Sequence, residues 1–312
     1  MDAVNETSNW EYGIVINKGP DFPGDLVIPR EINGVRVLDI GARAFDNNWE
    51  ITGVTIPDGV RSIGAYAFYG SHKIENITIP DSVEYIGDWA FHECSRLKTV
   101  TIGNGVKYIG EVAFCGCTRL TNLTLGSGVE RIARRAFVAC PQLQNLVIPK
   151  GIRRIDERAF SGCNLANEIV LDKVTDLGKE AFGGCSGVAN VTISGNLTNI
   201  ADLLFAGCKD LESITLPREL TNIGNSAFCG CTSLTGISLP YTLTDIGNSA
   251  FQNCTSLAKI TIPDHVKRIG SSAFGGCSGL MRVSLPRHLE NELPDDVFEG
   301  CSLDLCVEYR RF

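Results

Sequence analysis

A phenylalanine returns every 23 residues along most of this chain: Phe45, Phe68, Phe91, Phe114, Phe137 and Phe160, then Phe182 after 22, Phe205, Phe228, Phe251 and Phe274, and Phe298 after 24. Twelve of the 14 phenylalanines fall on this register. A fixed period of about 20 to 50 residues marks a stacked array in which each repeat is one small supersecondary unit. The 312 residues would otherwise suggest two domains, but a solenoid core runs through all its repeats. The question therefore moves from which residues react to which surface binds.

One repeat shows the construction. In Phe91–Gly110, F-H-E-C-S-R-L-K-T-V-T-I-G-N-G-V-K-Y-I-G, apolar residues fall at Phe91, Cys94, Leu97, Val100, Ile102, Val106 and Ile109. Alternating, β-branched Val100 and Ile102 predict a short strand with both pointing inward. Proline or glycine ends it (Pro57, Pro80, Gly103, Gly126, Pro149, Pro217), because proline cannot donate to a ladder. A second apolar pair follows, then a glycine such as Gly87 or Gly110 that is expected to permit a corner. Ala-Phe then opens what is expected to be a single helical turn. Coils of this kind stack about 4.8 Å apart, so about twelve give a rod or arc on the order of 55 Å long. No coil is stable alone.

The chain holds 13 cysteines. Ten lie three residues after a repeat phenylalanine: Cys94, Cys117, Cys140, Cys163, Cys185, Cys208, Cys231, Cys254, Cys277 and Cys301. Equivalent positions in stacked coils form a one-way ladder rather than facing pairs. Buried free thiols are therefore expected over disulfides, each acting as a small apolar residue. Cys115-Gly-Cys117 and Cys229-Gly-Cys231 are too tightly spaced for zinc and lack an accompanying histidine. No metal and no cofactor are expected.

The motif I-P-x-x-V-x-x-I-G-x-x-A-F-x-x-C, as in the stretch I-P-D-S-V-E-Y-I-G-D-W-A-F-H-E-C ending at Cys94, resembles the BspA-like class of leucine-rich repeats. The resemblance covers roughly residues 25 to 300 and lacks the asparagine of the usual leucine-rich motif. It implies a repeat solenoid of about 11 to 12 repeats of 23 residues, with little regular helix. The L-x-x-I-x-I segments would form a parallel sheet on the concave face, and the V-x-x-I segments short strands opposite. It also implies non-catalytic binding or adhesion at a cell surface or in secreted form, without shared catalytic residues.

The ends depart from the repeat. Residues 1–45 are expected to form an N-terminal cap and first turn, 46–300 the solenoid, and 301–312 a C-terminal cap or truncated repeat, in one continuous domain. Asn33-Gly34 predicts a hairpin turn within a β-rich cap from Gly13 to Val37, where Trp10 and Tyr12 are expected to pack. Residues 164–182 are one residue short of a repeat, and a small irregularity is expected there.

Net charge is −8, which argues against nucleic-acid or anionic-membrane binding. No stretch approaches 18 consecutive apolar residues, so no membrane span is expected. Met1-Asp-Ala-Val-Asn-Glu lacks the character of a secretion signal, which points to a protein that stays inside the cell or whose leader has been trimmed.

Three surfaces are candidates for a partner. The first is an outward hydroxyl stripe including Thr78, Thr101 and Thr124, continued by Val147, Val170 and Ser238 and flanked by Asn122 and Asn145. The second is an aromatic cluster of Tyr66, Tyr85, Trp89 and Tyr108; exposed aromatics often mark interfaces. The third is a basic cluster including Arg131, Arg135, Arg154 and Arg158, with Glu130, Asp156 and Glu157 among them. The expected partner is a protein, such as a host-matrix or cell-surface protein. The stripe has no aromatic row for sugar stacking, so a glycan fits less well. A monomer is expected. His72, His92, His265 and His288 have no acid or nucleophile at matching spacing. No phosphate-loop, nucleophile-elbow or dinucleotide motif is present. The other reading is a structural spacer module of a larger cell-surface protein.

Overall fold

The structure, a computed structural model, describes residues 6–10, 13–18, 24–166 and 168–310. Tyr12 lies outside the described residues, as does the side chain of Trp10. The chain forms two compact units, Met1–Asn164 and Leu165–Phe312, and the boundary falls where the short repeat begins.

Each unit is a β-solenoid whose coils build two faces. On the first face of the first unit, strands Gly24–Val27, Ile51–Thr55, Asn76–Ile79, Thr99–Ile102 and Asn122–Thr124 pair in parallel. The second face carries Val35–Ile40 and then the two-residue strands Ser62–Ile63, Tyr85–Ile86, Tyr108–Ile109, Arg131–Ile132 and Arg154–Ile155, also in parallel. The second unit repeats the plan. Its first face has Ile169–Leu171, Asn190–Ile193 and Ser213–Thr215, then Lys259–Thr261, Arg282–Pro286 and Cys306–Arg310. Its second face has Asn199–Ile200, Asn222–Ile223, Asp245–Ile246 and Arg268–Ile269.

The Asn33-Gly34 hairpin forms as expected: Asn33 and Gly34 sit at φ 52° and 77°, joining Glu31–Ile32 to Val35–Ile40 antiparallel. Ahead of it, Glu6–Trp10 and Gly13–Lys18 pair antiparallel, and Gly13–Lys18 runs parallel to Val35–Ile40.

Two coils lack the expected first-face strand. Residues 145–149 and 234–240 form none, so Val147 and Ser238 are not strand residues. Asn145 takes a left-handed φ of 55°, which no extended strand accommodates, and Gly236 stands in a strand position that glycine weakens.

The helical turn is also absent. The only helix among the described residues is the 3-10 turn Arg287–Leu289. Linked β-turns carry the chain past Ala-Phe instead. In one, Ala67 N–H donates to Gly64 O with Tyr66 at φ 59°. The corresponding residue is left-handed in coil after coil: Trp89, Val112, Arg135, Arg158, Leu203, Ser226, Ser249 and Ser272. The preceding glycine has a different role from the corner expected of it. A Cβ on Gly110 would lie 2.5 Å from the Gly87 carbonyl carbon, so glycine there allows two coils to approach.

The cores are columns of like residues. Successive phenylalanine rings stack at 5.0 Å for Phe91–Phe114 and 5.8 Å for Phe205–Phe228, with interplanar angles of 7° and 10°. The ladder thiols are buried as expected, apart from half-buried Cys301. They also make a bond that the apolar reading did not foresee. Cys94, Cys117, Cys140, Cys163, Cys208, Cys231, Cys254, Cys277 and Cys301 each donate to the phenylalanine carbonyl of the coil before, as Cys94 to Phe68 O at 3.4 Å and Cys231 to Phe205 O at 3.2 Å. Cysteine therefore supplies small apolar bulk and a donor for a turn carbonyl.

Candidate functional site

On the second face the isoleucine of each two-residue strand is buried and the residue before it points outward. The coil register places Tyr85 against Tyr108, Tyr108 against Arg131, and Arg131 against Arg154. The tyrosine rings stack at 5.1 Å and 11°. The Arg131 guanidinium lies over the Tyr108 ring, 5.5 Å from its centroid. Stacking and cation–π contact each contribute on the order of 0.5–1.5 kcal/mol and fix the side chains in place.

Asp156 anchors the arginines. Its side chain is 11% exposed and accepts from Arg131 at 2.7 Å and from Arg154 at 2.5 Å. It does not simply blunt a basic field; it aligns two guanidinium groups from adjacent coils. Arg134 is paired with Glu111. Partial burial, with Asp88 adding to it, pushes the Tyr85 and Tyr108 hydroxyls above their usual range, so both remain neutral donors at neutral pH.

Tyr66 and Trp89 form a separate column at the left-handed turn position, stacked at 5.7 Å and 6°. Arg43 sits over Tyr66 at 4.8 Å, a neighbour the sequence reading missed. Among the described residues no ring contact joins this column to the Tyr85–Tyr108 pair, so the expected aromatic cluster is two columns. Arg135 and Arg158 continue the Trp89 column at φ 56° and 57° and are distinct from the Arg131–Arg154 row.

On the first face, Thr78, Thr101 and Thr124 align in register, with Asn122 beside Thr99. Asn145 leaves the row because its coil has no strand there. Threonine stacked on threonine is what a half-exposed strand favours.

Three of the four histidines clamp coils. His72 Nδ1 meets Glu93 O at 2.7 Å, His92 Nδ1 meets Cys115 O at 2.8 Å, and His288 Nε2 meets Val266 O at 2.8 Å. Burial lowers the His92 pKa. Among the described residues no three His, Cys, Asp or Glu side chains are grouped to hold a metal ion, and no helix is long and apolar enough to cross a membrane.

The family described as BspA type Leucine rich repeat region matches in six copies, over residues 38–166, 119–223, 163–281 and 198–307. A leucine rich cell surface protein from Faecalibacterium prausnitzii is similar at 25% identity and TM-score 0.51, over 100% of this chain and 94% of that one. A leucine-rich repeat protein from Bacteroides ovatus is 26% identical, TM-score 0.49, over 100% and 99% of the two chains. One from Eubacterium ventriosum has the same fold at 19% identity and TM-score 0.52, over 94% and 91%. A search of curated proteins finds no match.

Proposed function

Because the chain belongs to the BspA type leucine rich repeat family, we propose that it is a non-catalytic binding protein of the adhesion type. It presents a rigid surface to another protein at or outside the cell surface. The observation that carries this reading is the Tyr85–Tyr108–Arg131–Arg154 row, held by ring stacking and by buried Asp156. Tyrosine, tryptophan and arginine dominate the energetics of protein interfaces, and side chains fixed before contact lose less entropy on binding. The Arg43–Tyr66–Trp89 column adds a second anchor of the same chemistry. The partner is a protein surface carrying carboxylates for the guanidinium edges and apolar groups for the ring faces. Cell-surface placement fits the description of the Faecalibacterium relative as a cell surface protein.

The test is capture of purified extracellular-matrix proteins and of intact cells on immobilised protein. Tyr108→Ala and Arg131→Ala are each expected to weaken capture at least about tenfold, the scale of a hot spot. Thr101→Glu and Thr124→Glu should leave it unchanged. If instead the threonine variants abolish capture, the binding face is the first one. If nothing is captured, the chain is a spacer within a larger surface protein.

A further inference from the structure

The first-face sheet of the second unit is interrupted at one coil. Ser213–Thr215 pairs back to Asn190–Ile193, and Lys259–Thr261 pairs forward to Arg282–Pro286. The coil between them, residues 234–240, contributes no strand. Among the described residues its ladder bonds are confined to its start, Thr235 N–H to Glu212 O and Ala258 N–H to Thr235 O. Side chains that neighbouring coils bury, Ile214 and Ile260, have a half-buried counterpart here in Ile237. The backbone has left the sheet and taken its inward residues part of the way with it.

Between this segment and Lys259–Thr261 lies an open cleft of about 800 Å³, with Ile237, Leu239 and Pro263 as its apolar lining and Lys259, Thr261 and Tyr241 among the polar groups. The volume is that of a ligand site, about 300–1,000 Å³. Two observations specify the occupant. The cleft side of Lys259–Thr261 is a strand edge without a ladder partner among the described residues, and a row of backbone N–H and C=O groups is matched in register by another extended backbone. Lys259 is exposed and lies in register with Arg282. Arg282 faces Glu308 at 4.0 Å, and Asp264 at the cleft is bonded to Arg310 at 2.6 Å. No carboxylate within ion-pair distance serves Lys259 among the described residues.

We propose that this cleft receives a peptide strand of another protein by β-strand addition. The strand is extended, alternates apolar and polar residues, and places a carboxylate across from Lys259. It fills the missing rung by pairing with Lys259–Thr261. The site shares no residue with the tyrosine–arginine row, so either can fail without the other.

Gly236 accounts for the open rung. It occupies the position held by Asn190, Ser213, Lys259 and Arg282 in other coils, and a Cβ there would meet nothing within 4 Å. A β-branched residue is therefore accommodated without a clash and raises strand propensity.

The test is fluorescence polarisation of the full chain with the labelled peptide LEEITL, the 211–216 sequence with glutamate at the position that falls across from Lys259. Saturable binding is expected. Gly236→Val, which closes the rung, should weaken it at least about tenfold, and Lys259→Glu should weaken it by a similar factor, roughly one charge-assisted contact. Lys259→Glu should leave the weaker binding of LQQITL unchanged. Hydrogen exchange at 236–239 and 259–261 should slow when LEEITL is added. The proposal is overturned if LEEITL does not saturate the wild-type chain, or if a backbone N-methylated LEEITL binds as well as the parent, since the cleft would then read side chains alone. Unchanged binding by a folded Gly236→Val protein overturns it too. Should that variant misfold, Lys259→Glu, a change at an exposed side chain, decides the matter.

Discussion

At the outward position of the second face, the first unit carries Ser62, Tyr85, Tyr108, Arg131 and Arg154, and the second carries Asp176, Asn199, Asn222, Asp245 and Arg268. Beneath them the two units are built alike, from stacked phenylalanines and thiols. In the second unit the outward groups engage one another. Asn222 donates to Asn199, and Arg268 pairs with Asp245. Beside them, Asp202, Asn225 and Asn248 each accept the backbone N–H of the next coil, at 2.7, 2.9 and 3.0 Å, a rung the first unit also makes, from Glu111 N–H to Asp88 at 2.7 Å. Such ladders use side-chain hydrogen-bonding capacity within the array. The tyrosine–arginine row keeps ring faces and guanidinium edges turned outward. The comparison teaches that burial fixes the repeat, while unburied columns are free to become either internal fastening or docking surface.

The largest expected effect tests the shared part of the comparison. Phe114→Ala and Phe228→Ala should each cost about 3–5 kcal/mol of unfolding free energy in denaturant titration. Values differing by more than about 2 kcal/mol would show that the two cores are not equivalent.

Alkaline pH tests the same equivalence through the thiols. Burial raises Cys94 and Cys208, one in each unit, from 9.0 to about 12. A thiol whose folded pKa is raised contributes fully below its unfolded pKa and loses that contribution as pH climbs toward the folded value. Stability should therefore fall between about pH 9 and 12, by up to about 1.4 kcal/mol per pH unit for each buried thiol. Thermal melts in both halves of this window, with thiol titration alongside, check it. A flat profile would mean that the sulfurs are not sealed.

The differing part of the comparison is sharpened by Asp156→Asn and Asn222→Ala. Loss of the carboxylate that aligns two arginines should cost about 1 kcal/mol, allowing for solvent around the half-exposed guanidinium groups. Asn222→Ala removes one exposed amide rung and should change stability by less than about 0.5 kcal/mol. Only the first should weaken partner capture. A small change of opposite sign is Ser226→Gly. It relieves a left-handed residue at φ 53°, a conformation costing on the order of 1 kcal/mol, partly offset by glycine's greater freedom when unfolded. A gain of about 0.5 kcal/mol is expected.

The repeat, the buried columns and the Asn33-Gly34 hairpin were legible because each rests on a periodic or local signal. The pairing of Arg131 with Arg154 follows from their 23-residue spacing, one repeat. The left-handed turns were not legible. Tyr66, Trp89 and Val112 are poor residues for that conformation, and no glycine announced it; inter-coil bonds such as Tyr66 N–H to Asp88 O at 2.9 Å hold it in place. Asp156 as an anchor was hidden because its role depends on a strand and a turn folding toward each other. The open rung had one faint sign, glycine in the middle of L-T-G-I-S-L.

The thiol-to-carbonyl bonds bear on how such a molecule ages. Oxidation begins at a thiolate that an oxidant can reach; the interior sulfurs offer no access, and burial further opposes ionisation of Cys94, Cys117, Cys140, Cys208 and Cys231. Air, peroxide or a disulfide-forming milieu would act first on Cys306, which is exposed, and then on half-buried Cys115, Cys229 and Cys301. A protein rich in cysteine can thus meet an oxidising milieu with its interior sulfur untarnished, the damage confined to the few thiols that solvent reaches.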